Sequence, residues 1–239
     1  MIEIIIPVYN DARIFEILRS ITENDKQGLT MMSIYEGCED ADYIPALKST
    51  LRQVDRLFVE NDSGIFNAFN KGLSNALSPV LVMMGADDCF GEGFEFETVL
   101  NQFNAHNSDL VISKLIYKKD DQITRRISYN RYLSEDFFRG VPFYHVGTFI
   151  TRGLAQEFRF DEGYPTCADY KYFLEIFSET RKVGIVSCDV MIEEGGASGG
   201  WKIRIVALLN MIEILGLRRL IRHPMHFIVR YINKIKSLL

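Results

Sequence analysis

The sequence predicts an α/β fold, with a mixed, mostly parallel sheet flanked by helices and a C-terminal helical extension. Three observations predict it. Strand-like and helix-like patterns alternate four times within the first 90 or so residues, and that alternation builds a helix-covered parallel sheet through right-handed crossovers. Two of the strands, Ile2–Pro7 and Val80–Met84, read as continuous apolar runs, the pattern of strands buried on both faces. The charge is also split. Residues 202–239 carry eight Lys/Arg and one acid, Glu213, so that segment is +7 and the first 201 residues hold −12 of the net −5. An acidic body with a basic end suits contact with an anionic surface.

Ile2–Pro7 is the first strand, closed by Pro7-Val8-Tyr9-Asn10, since proline cannot sit in a central ladder. Asp11 reads as the N-cap of a helix whose apolar face is Ile14, Phe15, Ile17, Leu18 and Ile21. Leu29–Tyr35 is the second strand, followed by a short helix over about 44–54. Arg56–Glu60 is the third strand. Ile65–Leu77 has helical apolar spacing with Asn67, Asn70 and Lys71 on its polar side, and Val80–Met84 is the fourth strand.

The second half is less regular. Phe94–Asn104 reads as a helix. Asp109–Tyr117 reads as a strand, paired with Gln122–Tyr129 across Lys118–Asp121. Tyr132–Arg139 reads as a short helix, His145–Thr151 as a strand, and Thr166 opens a helix to about Phe177. Val183–Val186 and Asp189–Glu193 read as two short strands before the glycine-rich stretch 194–200.

The first four strands end, in turn, in Tyr9/Asn10, Glu36, Asn61/Asp62 and Asp87/Asp88. Open α/β sheets bind ligands outside the C-terminal ends of their strands. Neighbouring carboxylates repel, and a hard divalent cation bridging to phosphate oxygens relieves this. Neither G-x-G-x-x-G nor G-x-x-x-x-G-K-[ST] is present. Phosphates bound here would therefore need a metal held by carboxylates. Alone, an Asp-Asp pair after a strand is more often a solvated turn; the other three strand ends give it its interest.

No apolar run reaches the ~18–20 residues of a membrane span, and MIEIIIPVYN goes directly into a strand with no basic leader. The expectation is a cytoplasmic protein. Cys38, Cys89, Cys167 and Cys188 lack paired metal-ligand spacing and read as reduced thiols.

Six segments in order resemble the GT-A glycosyltransferases of family 2, the inverting group of bacterial surface-polysaccharide synthesis. They are IIIPVYN (4–10), ENDSGIFNAFNKGLSNA (60–76), MGADD (84–88), HVGTFITR (145–152), FDEGYPTCADYKYFLEI (160–176) and GGAS (195–198). The likeness covers about residues 2–200, and GIFNAFNKG resembles a subgroup acting on lipid-linked oligosaccharide in O-antigen and capsule assembly. The resemblance implies a GT-A domain over 1–200, with a nucleotide-binding half to about 90 and an acceptor half to 200, and a tail over 201–239.

It also implies roles. Pro7, Tyr9 and Asn10 would line the nucleotide pocket. Glu36 stands where the family has an aspartate contacting the base. Asp62 and Lys71 fall on the nucleotide and donor-sugar side. Asp87 and Asp88 match the D-x-D-type metal motif for Mn²⁺ or Mg²⁺, with Asp88 carrying most of the coordination because Gly85 stands at the motif's first position. Asp169 matches the catalytic base. His145 and the loop 195–198, including Ser198, would close over the diphosphate or acceptor. The chain lacks the Q-x-x-R-W motif of processive synthases, so one sugar per event is implied. The expected donor is a nucleotide-diphospho-sugar, most simply UDP-linked, and the expected acceptor is a lipid-linked saccharide. No nucleic-acid partner is expected.

Each residue has a plainer reading. Thr166-x-x-Asp169 is a capping-box-like pattern with an acid in a first helical turn. His145 reads equally as a satisfied core histidine, Lys71 as a solvated helix residue, and Glu162 is a rival base. In the tail, Pro224 suits the first position of a last helix, whose stripe Met225, Ile228, Val229, Ile232, Ile235 and Leu239 lies beside Arg230, Lys234 and Lys236. This reads as an in-plane helix on the inner face of the cell membrane, or as a helix packed on the domain or on a second copy. Competing functions are a sugar-1-phosphate nucleotidyltransferase and a catalytically silent binding or scaffold subunit.

Overall fold

A computed structural model describes residues 1–119, 122–127, 145–164, 166–180 and 182–193, with Val206, Leu209, Asn210, Glu213 and Ile214 beyond them. Among the described residues the core is one mixed sheet of nine strands in the order β3-β2-β1-β4-β8-β6-β9-β5, with β7 paired to β6. The first four strands are β1 (Ile2–Val8), β2 (Thr30–Glu36), β3 (Arg56–Val59) and β4 (Val80–Met83), all mutually parallel. They are linked by α1 (Ile14–Asn24), α2 (Tyr43–Ser49) and α3 (Ile65–Asn75). β1 and β2 are buried along their whole length, as strands covered on both faces must be.

The order 3-2-1-4 fixes where a ligand can sit. The chain steps outward from β1 to β3, then returns across β1 to place β4 on its other side. The reversal makes the gap between β1 and β4 the topological switch point, where open α/β sheets form a crevice at their C-terminal edge. Hydrogen bonds past the strand ends keep that edge in register: Gly37 donates to Val8, Glu60 to Glu36 and Met84 to Ile5.

One residue inside the first apolar run is polar. Glu3 is fully buried in β1 and accepts from Ser33 Oγ (2.6 Å), Leu77 N (2.7 Å) and Ser78 N (3.0 Å). It ties the turn between α3 and β4 to the central strand, so a buried carboxylate is tolerated because its lone pairs are used.

The second half adds β5 (Asp88–Phe90), α4 (Phe96–His106), β6 (Leu110–Lys119), β7 (Gln122–Ile127), β8 (Thr148–Thr151), α5 (Arg152–Glu157), α6 (Ala168–Glu179) and β9 (Val183–Glu193). The expected hairpin is present, with β7 antiparallel to β6. Three expectations are corrected, and two elements are new. Asp11 does not cap α1: the helix starts at Ile14 without a side-chain cap, and the Asp11 carboxylate instead accepts the Arg13 N–H at 2.9 Å. The strand expected from His145 begins at Thr148, because Gly147 turns the chain at φ +69°. The two strands expected after Val183 are one, with a register shift against β6 between Ile112 and Lys114 absorbing the irregularity. β5 and α5, which have no counterpart in the sequence reading, are too short to show a periodicity. The helix expected at 132–139 and the one beginning at Pro224 lie outside the described residues.

The four cysteines are free thiols, Cys167 buried and the others partly so. No helix among the described residues is long and apolar enough to cross a membrane.

Candidate active site

Two of the four predicted strand ends interlock at the β1–β2 side of the edge. Val8 ends β1, and Tyr9 projects from it, 71% exposed. Asn10 follows in the left-handed region at φ 47°, which asparagine tolerates better than most residues. Its N–H donates to Glu36 Oε1 (3.1 Å), which also accepts from Cys38 N (2.8 Å). Glu36 is therefore a brace between the β1 and β2 exits, fully buried. Burial pushes its carboxyl above the ordinary range, more than the N–H groups of Asn10 and Cys38 pull it down.

Asp62 closes the same corner from β3. One oxygen accepts Gly64 N–H (2.8 Å). The other lies so near Gly37 that a Cβ there would meet it at 2.8 Å and the Tyr9 ring at 3.1 Å. Tyr9 and Asp62 thus pack closely against Gly37, while Pro7 lies inside β1, paired with Tyr35. Lys71, on α3, donates to the Asn61 carbonyl (2.7 Å) and stands 3.6 Å from Glu60. It secures the β3 exit.

Asp87 and Asp88 follow β4 and differ sharply. Asp88 opens β5, is buried, and returns a carboxylate oxygen to Gly85 N–H at 2.8 Å. Burial pushes its carboxyl up to about 7, against the pull of His145 and with a further push from Asp87. Asp87 is about a quarter exposed at its side chain and pairs with Arg13 Nη1 at 3.1 Å. Gly85 lets both carboxylates fold back: a Cβ there would meet Asp87 Oδ1 at 2.8 Å and Asp88 Oδ2 at 2.9 Å. The glycine at the first motif position is thus the space that the two acids occupy.

β5 is held against α1 by polar contacts that place Asp88. Phe90 N donates to Ser20 Oγ (3.2 Å), Phe94 N to Asn24 Oδ1 (2.9 Å), and Asn24 Nδ2 to the Gly91 carbonyl (3.1 Å).

His145 and Asp169 form a second charged pair. The Gly147 carbonyl accepts Ser113 N–H (2.9 Å), and a Cβ at 147 would crowd Leu115 and Val190 at 3.0 and 3.2 Å, so only glycine makes the turn that presents His145. Asp169 lies in the first turn of α6. His145 Nδ1 stands 3.5 Å from Asp169 Oδ2, and its ring meets Phe69 edge-on at 5.6 Å. Burial works against the imidazolium, but Asp169 and then Asp88 and Asp87 outweigh it, so the ring's pKa is raised above 6.5.

Glu162, the rival base, is otherwise engaged. It accepts from Ser63 Oγ (3.0 Å), Asn67 Nδ2 (3.0 Å) and Asn70 Nδ2 (3.1 Å). Asn70 also clasps Phe160, donating to its carbonyl and accepting its N–H, each at 2.9 Å. The two asparagines of GIFNAFNKG thus fasten α3 to the segment leading into α6.

Arg13 is the site residue that sequence reading missed. Its signal was faint: a lone cation directly before the first helix and after an acid. Ser198 and the 195–198 loop lie outside the described residues. Within the tail, Asn210 donates to the Thr166 hydroxyl at 3.3 Å, three residues before Asp169.

Among the described residues no three His, Cys, Asp or Glu side chains form a ready metal cage. A Mg²⁺-like ion does not need one, since it is commonly held by one or two carboxylates and substrate phosphates. The expectation that Asp88 carries most of the coordination is corrected: Asp88 is buried with an oxygen spent on Gly85 N–H, whereas the Asp87 side chain is about a quarter exposed, so Asp87 is the more accessible donor and Asp88 the helper.

Residues 3–162 match the family model "Glycosyl transferase family 2". No curated protein matches the chain. Among solved structures, S. aureus TarS 1–349 in complex with UDP-GlcNAc is 15% identical over 90% of this chain and 66% of that one, at a TM-score of 0.65. S. aureus TarS 1–349 in complex with UDP gives 13%, 88%, 65% and 0.63. The mannosyltransferase PcManGT from Pyrobaculum calidifontis, in complex with GDP-Man and Mn²⁺, gives 16%, 90%, 62% and 0.62. These likenesses establish the GT-A fold. The chain spans between two fifths and two thirds of the length of the structures it matches.

Proposed function

We propose that this chain, which belongs to glycosyl transferase family 2, moves a single sugar from a nucleotide-diphospho-sugar, UDP-linked, to a lipid-linked saccharide, with inversion. The observation that carries the proposal is the division of the crevice. Tyr9, Asn10 and Asp62 come together at the β1, β2 and β3 exits, where a nucleoside would sit. Asp87 and Asp88 lie at the switch point, where a diphosphate would sit. Asp169, in the first turn of α6, has Oδ2 3.5 Å from His145 Nδ1, and is taken to face the acceptor.

The chemistry follows from those positions. The acceptor oxygen attacks the anomeric carbon as its bond to the diphosphate oxygen breaks, and the nucleoside diphosphate leaves with the electron pair. Asp169 takes the acceptor's proton, for which a carboxylate must come within ~2.6–3.2 Å of the hydroxyl in the reactive complex. Asp87, helped by Asp88, would hold Mn²⁺ or Mg²⁺, which when bound offsets the charge building on the leaving phosphate. Glu36 orders the β1 and β2 exits around the base. His145 orients Asp169.

The acceptor half extends to about residue 200, and the basic tail over 201–239 is proposed to lie on the cytoplasmic face of the membrane, close to a polyprenyl-linked acceptor. Calorimetry with UDP and Mn²⁺, followed by a screen of nucleotide sugars for metal-dependent transfer or hydrolysis, tests the reading. Metal-dependent UDP binding is the expected result. Absence of binding by the intact chain would remove the UDP-sugar assignment.

A further inference from the structure

The contact between Arg13 and Asp87 spans 74 residues of sequence and crosses the switch point from β1's exit to β4's. It belongs to no structural layer. Arg13 is about half exposed at its side chain and Asp87 a quarter, so the pair is of the exposed kind that is worth little by itself. The arginine is nonetheless held in place. Its Nε lies 3.0 Å from both Asp11 oxygens, and Nη2 reaches Asp11 as well. One edge of the guanidinium is thus anchored to Asp11, and only Nη1 is committed to Asp87.

We propose that Arg13 is an exchangeable counter-cation for Asp87. In the free protein it neutralises one of two neighbouring acids. When a nucleoside diphosphate and its divalent cation bind, it yields Asp87 and carries Nη1 to the phosphate oxygens. The inference rests on the nucleotide-sugar reading of this site.

Four features support the exchange. Asp87 and Asp88 fold back over the same glycine, and the repulsion between acids so placed is relieved by a cation beside Asp87. The bond to be broken is weak, while the anchor on Asp11 remains, so the guanidinium stays at the crevice edge with little loss of order. The freed Nη1 keeps two N–H donors on a permanently charged group, which suits charge-assisted hydrogen bonds to phosphate oxygens. Arg13 also lies directly before α1, whose N-terminal end favours an anion nearby.

The test uses the full chain and two variants, Arg13→Gln and Arg13→Lys, each checked for a cooperative melt. Two affinities are measured: Mn²⁺ alone, by Mn²⁺ paramagnetic resonance, and UDP in saturating Mn²⁺, by calorimetry. For Arg13→Gln, removing the competing cation should tighten Mn²⁺ alone by about threefold, the scale of an exposed ion pair. Loss of charge-assisted hydrogen bonds to phosphate should weaken UDP by roughly 10- to 100-fold. Arg13→Lys, which keeps the charge but loses the fork, should fall between. A damaged fold would move both affinities the same way; opposite shifts are specific to exchange. Parallel shifts, or none, in a wild type that binds UDP would overturn the proposal and leave the nucleotide-sugar reading intact. A wild type that binds no UDP would overturn that reading and this proposal with it.

Discussion

Nδ1 of His145 stands 3.5 Å from Oδ2 of Asp169, and the same imidazole feels the charges of Asp88 and Asp87. One part-buried ring is therefore coupled both to the acid assigned to the acceptor and to the acids assigned to the diphosphate. In the proposed mechanism His145 is a positioning residue acting through this charge contact, and its cation is stabilised by the carboxylates around it.

Replacing His145 by Gln should lower kcat by roughly 10- to 100-fold while leaving UDP affinity within about threefold, the loss expected when a base keeps its charge but not its orientation. A pH series adds a second readout. The ring's folded pKa is raised, so its stabilising contribution is full below the unfolded value near 6.5 and is lost as pH rises through the folded one. Urea midpoints of wild type and His145→Gln should differ most at pH 6 or below and converge under alkaline conditions.

Gly85 separates two views of the metal motif. If it is a ligand lost from D-x-D, Gly85→Asp should improve metal-dependent UDP binding. The geometry gives the opposite expectation, because any Cβ at 85 would meet Asp87 and Asp88 oxygens inside 3.0 Å. Gly85→Ala and Gly85→Asp should both weaken UDP binding at least tenfold, with melting temperature changed by only a few degrees, as calorimetry and a thermal scan would report.

Much of this was legible in the chain. The strand-to-helix alternation marked the four parallel strands and their polar exits, most strongly at β1, β2 and β4, where burial on both faces leaves a strong apolar signal. What could not be read depended on tertiary contacts. Glu3 sits in an apolar run because it serves Ser33, Leu77 and Ser78. Nothing local distinguishes the buried Asp88 from the accessible Asp87, since their fates are decided by β5 pairing with β9. Arg13 gains its partner from 74 residues away. The acids of FDEGY could be ranked only after Asn67 and Asn70 were seen to claim Glu162.

Glu162 is a fastener in this account. Glu162→Gln should retain kcat within about threefold of wild type, because amide hydrogen bonding can replace part of the clasp. Steady-state assays on matched preparations would show this, and a loss as deep as that of an Asp169 variant would return Glu162 to the chemistry.

At the opposite edge of the sheet, Asp25 gives a stability test independent of function. Its carboxylate is shielded and accepts from Leu29 N (2.7 Å), Thr30 N (2.9 Å), Thr30 Oγ1 and Arg52 Nη1 (3.0 Å). Burial alone would push its pKa up, but these donors prevail and hold it below 3.8. Asp25→Asn should cost about 2 kcal/mol at neutral pH in urea unfolding. A depressed folded pKa stabilises above the unfolded value, so the gap between the two proteins should close as pH falls through the folded one, below 3.8.

The most direct test is Asp169→Asn, assayed for both binding and transfer. The substitution preserves the shape of the side chain and removes its capacity to take a proton. Donor and Mn²⁺ binding by calorimetry should stay within about threefold, and sugar transfer should fall by at least 10²-fold, the scale of a general base. Transfer at near wild-type rate by a variant that still binds donor would contradict the account and place the base elsewhere.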